Sequence, residues 1–333
     1  MKTGWTPGSL VVVLAIFLAS GSVRAATPPG YLLEWGSNGT GPGEFLGPQG
    51  VAVDALGNVY VVDSTGNRIQ KFSNVGVFLL EWGSSGTGDG QFADPIGIAL
   101  DAQGNVYITE GINHRVQKFS GAGAYILKWG SSGAGDGQFN RPSAIAIDPA
   151  NVVYVADTDN HRIQKFSNAG AFLMKWGTMG SAAGQLNRPL GVAADDQNVI
   201  YVADTANHRI QTFSSTGTPI AVWGGFGTGD GQFNFPRQLA VSPTKNILVA
   251  DSDNHRLQIL SRNGLSLVAW GSSGSGNGQF NLPVGVGTDT VGNIFVTDNG
   301  NRRVQKFSPG STPVFPVTWG NLKQRYPAAA SFR

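Results

Sequence analysis

The sequence predicts an all-β protein, a six-bladed β-propeller built from six four-stranded units of 47 residues, and three observations carry that expectation. "Trp-Gly" begins at Trp35, Trp82, Trp129, Trp176, Trp223 and Trp270, each 47 residues after the last, and again at Trp319, two residues late. An arginine keeps the same step from Arg68 to Arg303, and a proline keeps it from Pro48 to Pro283. Within each unit the apolar runs are short, rich in β-branched and aromatic residues, and bounded by turn residues.

Taken in chain order, residues 1–25 read as a signal peptide. Lys2 gives a positive start, and Leu10–Ala19 is an apolar run of about ten residues, half the roughly 20 a spanning helix needs. Val23 and Ala25 occupy the small-residue positions of a cleavage site, so a mature start near Ala26 and a secreted or periplasmic location are expected. The propeller follows over 26–320. In its third unit "AIAID" (144–148), "VVYVAD" (152–157), "RIQKF" (162–166) and "AFLMKW" (171–176) are four strands joined by tight turns. One such sheet cannot bury both faces alone, whereas radial stacking buries them and leaves only short edges. "YLLEWG" (31–36) is a spare outer strand before unit one, and "VFPVTWG" (314–320) is another after unit six. Pro313 and Pro316 suit a ladder poorly, so the N-terminal copy is expected to close the ring. Residues 321–333 form a C-terminal tail.

Composition narrows the functional classes. Loss of the leader removes Lys2 and Arg24, leaving 21 basic against 21 acidic side chains and no basic excess for a polyphosphate. Cysteine is absent, so no disulfide contributes, and stability must come from packing. No cofactor is expected, and the mature chain is expected to be a monomer without a membrane span.

The units resemble NHL repeats, on the turns "NHRIQ", "NHRVQ" and "NHRLQ" and the ordered pattern "GQFxxPxGxAxD…VYVAD…NHRIQKF…WG", over roughly residues 31–320. That resemblance implies a propeller and says little about activity, because one fold hosts many functions.

Residues that recur in every unit are expected to be structural, since a single reaction needs a single site. The tryptophans are expected to wedge against the next blade. An acid and an arginine flank each turn between the second and third strands: Asp63 and Arg68, Glu110 and Arg115, Asp157 and Arg162, Asp204 and Arg209, Asp251 and Arg256, Asp298 and Arg303. Facing each other across a ladder, they are placed to pair. His114, His161, His208 and His255 share one position, held by Asn67 in unit one and Arg302 in unit six. Arginine is no metal ligand, so the position asks for a polar turn residue. Strand spacing puts neighbouring histidines on the order of 10 Å apart, too far to share a zinc with donors at about 2.1 Å. Asp89, Asp136 and Asp230 of the blade-to-blade loop suggest Ca²⁺, but Pro42, Ala183 and Asn277 stand there in other units. No metal site is therefore assigned.

Symmetry breaks just after the repeated proline, where Gln49, Ile96, Ser143, Leu190, Arg237 and Val284 should ring the channel mouth. Arg237 followed by Gln238 departs most, because Gly or Ala holds the second position elsewhere. Gln49, Ser143, Arg237, Gln238 and the four histidines are the candidate ligand-binding residues. A peptidyl-hydroxyglycine lyase and the lactonases have similar blade plans and use metals. Here no channel-mouth residue is histidine, and the innermost strands ("GVAV", "GIAL", "AIAI") offer no carboxylate. RNA-binding NHL propellers accompany RING and B-box modules, which need cysteine. The expectation is an exported scaffold binding a protein, peptide or glycan on its loop-rich face, with a metal-dependent propeller enzyme as the alternative and RNA binding as a second.

Overall fold

The computed structural model describes residues 27–310. The leader, the strand pattern at 314–320 and the tail lie outside the described residues.

Six four-stranded antiparallel sheets are present, each a simple meander. In the third blade the strands run outward as Pro142–Ile147, Val153–Asp157, Arg162–Phe166 and Phe172–Trp176. Every residue of Val153–Asp157 is buried, because this strand is covered by a sheet on each side. The outer strand Phe172–Trp176 alternates half-buried with exposed residues, as an edge with one covered face must.

The sixth blade is a composite. Pro283–Thr288, Ile294–Asp298 and Arg303–Phe307 come from the end of the chain, and Tyr31–Trp35 supplies the fourth strand. Tyr31 pairs with Phe307 and Trp35 with Val304. The N-terminal strand closes the ring, as its better match to the repeat predicts.

Blades are joined by the repeated residues. The Trp129 ring ends the outer strand of blade two and lies 5.8 Å from the Phe166 ring of blade three. It also roofs Gly170, where a Cβ would stand 2.9 Å from the indole and where φ is +80°, so only glycine fits without strain. Lys165 crosses from blade three to donate to the Ser215 carbonyl at 2.9 Å.

The acid–arginine pair is the centre of a larger network. In blade three Arg162 Nε lies 2.6 Å from an oxygen of Asp157. Its terminal nitrogens donate to the carbonyls of Ala134, Gly135 and Gln138 at 2.7–2.8 Å, clamping the preceding blade-to-blade loop. Asp157 also accepts from the Asn140 amide at 2.7 Å and from Asn160 Nδ2 at 2.9 Å. Arg68, Arg115, Arg209, Arg256 and Arg303 make the corresponding pairs.

Candidate ligand-binding site

The blade-to-blade loops, the Asn-His-Arg turns and the starts of the inner strands share one face. The channel between the six inner strands is a cavity of about 40 Å³, lined by Val51, Ile98, Ile145, Val192, Gln238 and Leu239 among others. That volume holds a few water molecules and no organic ligand. A ligand on this face must therefore sit at the mouth, above the channel.

Steric contact explains the residues of the mouth. A Cβ at Gly191 would overlap the Arg237 carbonyl oxygen of the next inner strand, and one at Gly97 would overlap that of Ser143. Small residues recur at this place because the strands converge there. Blade five alone admits a long side chain, and Gln238 projects into the channel lining.

Among the six mouth positions the polar side chains differ in what they already hold. Ser143 is buried; its hydroxyl donates to the Pro189 carbonyl at 3.3 Å and accepts from Thr158 Oγ1 at 2.7 Å. It joins blades three and four and has little left for a ligand. Gln49 and Gln238 make no side-chain hydrogen bond among the described residues. Arg237 is the sharpest case: its Nε is sealed from solvent with no partner, and its guanidinium forms no ion pair among the described residues. Desolvation pulls its pKa down, and the charge of Asp253 opposes that shift without making an ion pair. The neighbouring surface arginines are paired, Arg188 with Asp159 at 3.2 Å and Arg141 with Asp94 at 3.5 Å.

The histidines have a definite structural role. His161 ends a single 3₁₀ turn, Thr158–Asn160, in the left-handed conformation at φ 54°. Its Nδ1 accepts the Arg188 amide of the next blade at 3.1 Å. His114, His208 and His255 do the same for Arg141, Phe235 and Leu282 at 3.1–3.2 Å. Asn67 substitutes its Oδ1, accepting from Asp94 at 3.3 Å. In five of the six blades the position supplies an acceptor, and in all six it tolerates positive φ, a finer demand than polarity. Arg302 lacks the acceptor and instead donates to the Asn299 carbonyl at 3.1 Å.

Asp89 and Asp136, the loop carboxylates that suggest a cation, face Lys128 and Lys175 at 2.6 and 2.7 Å. Among the described residues no group of three His, Asp or Glu is arranged to hold a metal ion.

The inner strands themselves carry no carboxylate, but Asp54, Asp101, Asp148, Asp195 and Asp289 follow directly after them, at the end away from the mouth. They line a cavity of about 440 Å³ on the opposite face, with Ser242 at the sixth place. The signal was an Asp at one repeat position in five units of six. These carboxylates are engaged locally: Asp148 accepts from the Ala150 and Val152 amides at 2.9 Å and from the Tyr154 hydroxyl at 3.0 Å. Burial and these carboxylate contacts push the hydroxyls of Tyr60, Tyr107, Tyr154 and Tyr201 well above the ordinary tyrosine range.

The six sheets and their turn chemistry define a propeller of NHL type. Residues 45–72, 92–119, 139–166, 186–213, 233–260 and 280–307 match the NHL repeat, and the chain belongs to that family. No curated protein matches it. Among solved structures it is similar to virginiamycin B lyase from Staphylococcus aureus, at 13% identity and TM-score 0.53, covering 78% of this chain and 79% of that one. It is also similar to a gluconolactonase from Xanthomonas campestris, at 16% identity and TM-score 0.60, over 86% of this chain and 99% of that one. A Bacteroides thetaiotaomicron protein of unknown function gives 16% identity and TM-score 0.63, over 86% and 83%. Identities this low establish the shared fold.

Proposed function

We propose that this chain is an exported binding propeller that holds a protein, peptide or glycan on its loop-rich face, with Arg237 as the recognition residue. The observation that carries the reading is the guanidinium of Arg237, desolvated and without a partner at a channel-mouth position where sixfold symmetry breaks. A buried polar group left unpaired costs about 1–3 kcal/mol. Its presence at a channel mouth fits a group kept for an incoming acceptor. The cavity below, about 40 Å³, is too small to hold an organic ligand, which favours capture at the surface. The apolar run ahead of Ala26 supports export.

A metal-dependent lyase or lactonase activity is the alternative, drawn from the structural neighbours. It would need donors other than the four histidines, whose Nδ1 atoms are committed to the blade-to-blade contacts.

Immobilised mature protein, as wild type, Arg237→Gln and Arg188→Gln, tests the binding reading against the extracellular fluid of the source cells. The reading expects a species retained by wild type and Arg188→Gln and lost by Arg237→Gln. Identical retention by all three proteins would overturn it. Cell fractionation with N-terminal sequencing tests export, with a mature start near Ala26 expected.

A further inference from the structure

Blade five carries a second departure beside Arg237, and the two together specify a ligand. Phe226 and Phe235 are 70% and 41% exposed, unusual for rings of this size on a soluble surface. Both pack edge-on against His208, with ring centroids 5.0 and 4.6 Å away. The other blades have Asn38, Ser85, Ser132, Met179 and Ser273 in place of Phe226, and none has an aromatic in place of Phe235. Phe235 and Arg237 are separated only by Pro236, so their Cα atoms are at most about 7.6 Å apart across two trans peptides. An exposed aromatic cluster and an unpaired cation are therefore anchored two residues apart in the chain on one face.

We propose that this site takes a carboxylate borne on an apolar or aromatic body. The carboxylate meets Arg237 at the channel mouth, and the body lies on Phe226, His208 and Phe235. The inference rests on the binding role proposed above for the same face.

Three features select this chemistry. Of the three Arg237 nitrogens only Nε is sealed, so the terminal pair remains open to an incoming acceptor. A planar guanidinium edge matches a planar carboxylate with two parallel hydrogen bonds. Arg141 and Arg188 are held by Asp94 and Asp159, whereas Arg237 has no carboxylate partner among the described residues. The exposed Asp253 carboxylate nearby adds a negative field. A monoanion tolerates that field, whereas phosphate or a polyanion is repelled by it.

The test is calorimetric titration of the full mature chain with N-acetyl-L-phenylalanine, its uncharged amide, acetate and inorganic phosphate. The acid should bind about tenfold or more tightly than the amide, since the charge-assisted hydrogen bonds are lost in the latter. Arg237→Gln should abolish that preference, and Phe226→Ala should weaken the acid about fivefold while leaving acetate unchanged. Circular dichroism confirms that each variant is folded. Equal binding of acid and amide, tighter binding of phosphate than of the acid, or an Arg237→Gln variant that binds like wild type would overturn the assignment. No binding of the acid, with Arg237-dependent capture intact in the retention assay, removes the ligand class and leaves the binding role standing. Failure of both assays removes both.

Discussion

Replacing Arg237 by methionine should raise the melting temperature. The guanidinium Nε is sealed from solvent and has no acceptor, so the folded state carries an unsatisfied donor. Such a group costs about 1–3 kcal/mol, which the variant regains. Methionine preserves most of the packing of the arginine stem, so the offsetting loss is small. At about 2.1 cal/mol/K per residue, unfolding the propeller of residues 27–310 changes entropy by about 0.6 kcal/mol/K, so each kcal/mol shifts the midpoint by about 2 °C. The expected rise is about 2–5 °C by differential scanning calorimetry at neutral pH. A fall of about 2 °C or more would show that the guanidinium has a stabilising partner in the native protein, and the argument for a reserved cation would collapse.

Trp129→Ala should cost about 3–5 kcal/mol, because the ring fills the space between two blades. His161→Ala should cost about 0.5–1.5 kcal/mol through the stranded Arg188 amide, and His161→Asn should restore most of it; urea titration of all three gives the order, and comparable losses for Trp129→Ala and His161→Ala would contradict it. Asp157→Ala removes the acceptor of Arg162, Asn140 and Asn160 together and should cost about 3–5 kcal/mol, read from the same denaturation midpoint. Burial raises the Asp195 pKa, but the Val199 amide and the Arg262 and Tyr201 side chains outweigh it and hold the carboxyl below its ordinary value. Its depressed value means stability present above the unfolded carboxylate pKa and lost as pH falls through the folded one; an acid titration of melting temperature should therefore be flatter at its low end for Asp195→Asn than for wild type.

The architecture was readable because nothing interrupts the 47-residue step from Trp35 to Trp270. Even the closing strand could be chosen, since Pro313 and Pro316 disfavour its rival. The mouth was partly readable: Gln238 stands out against five small residues and Arg237 is the one charged residue of its ring, but that Ser143 is consumed by Thr158 and the Pro189 carbonyl depends on contact between blades. The histidines show the limit most plainly. Their partner is an amide 27 residues onward in the next blade, a distance no local pattern reports. Blade five shows how substitutions travel together. Where blades one, two, three and six set a lysine against an aromatic ring with an acid at the strand end, it has Ser242, Leu248 and Ile259, a replacement of the whole group. Blade four lacks only the lysine, having Thr212 instead, and Arg262 reaches over from blade five to bind Asp195 at 2.6 Å.

The composite sixth blade has a consequence for how the molecule is made. Glu34 and Arg303, which meet there, are 269 residues apart in the chain. Closing a loop of that length costs about 5 kcal/mol of chain entropy. Among the described strands Tyr31–Trp35 is made before all others, yet its only ladder partner, Arg303–Phe307, is made last. The sixth blade therefore cannot be completed until every other blade has been synthesised, and a truncation anywhere before Arg303 deprives the first strand of its sheet.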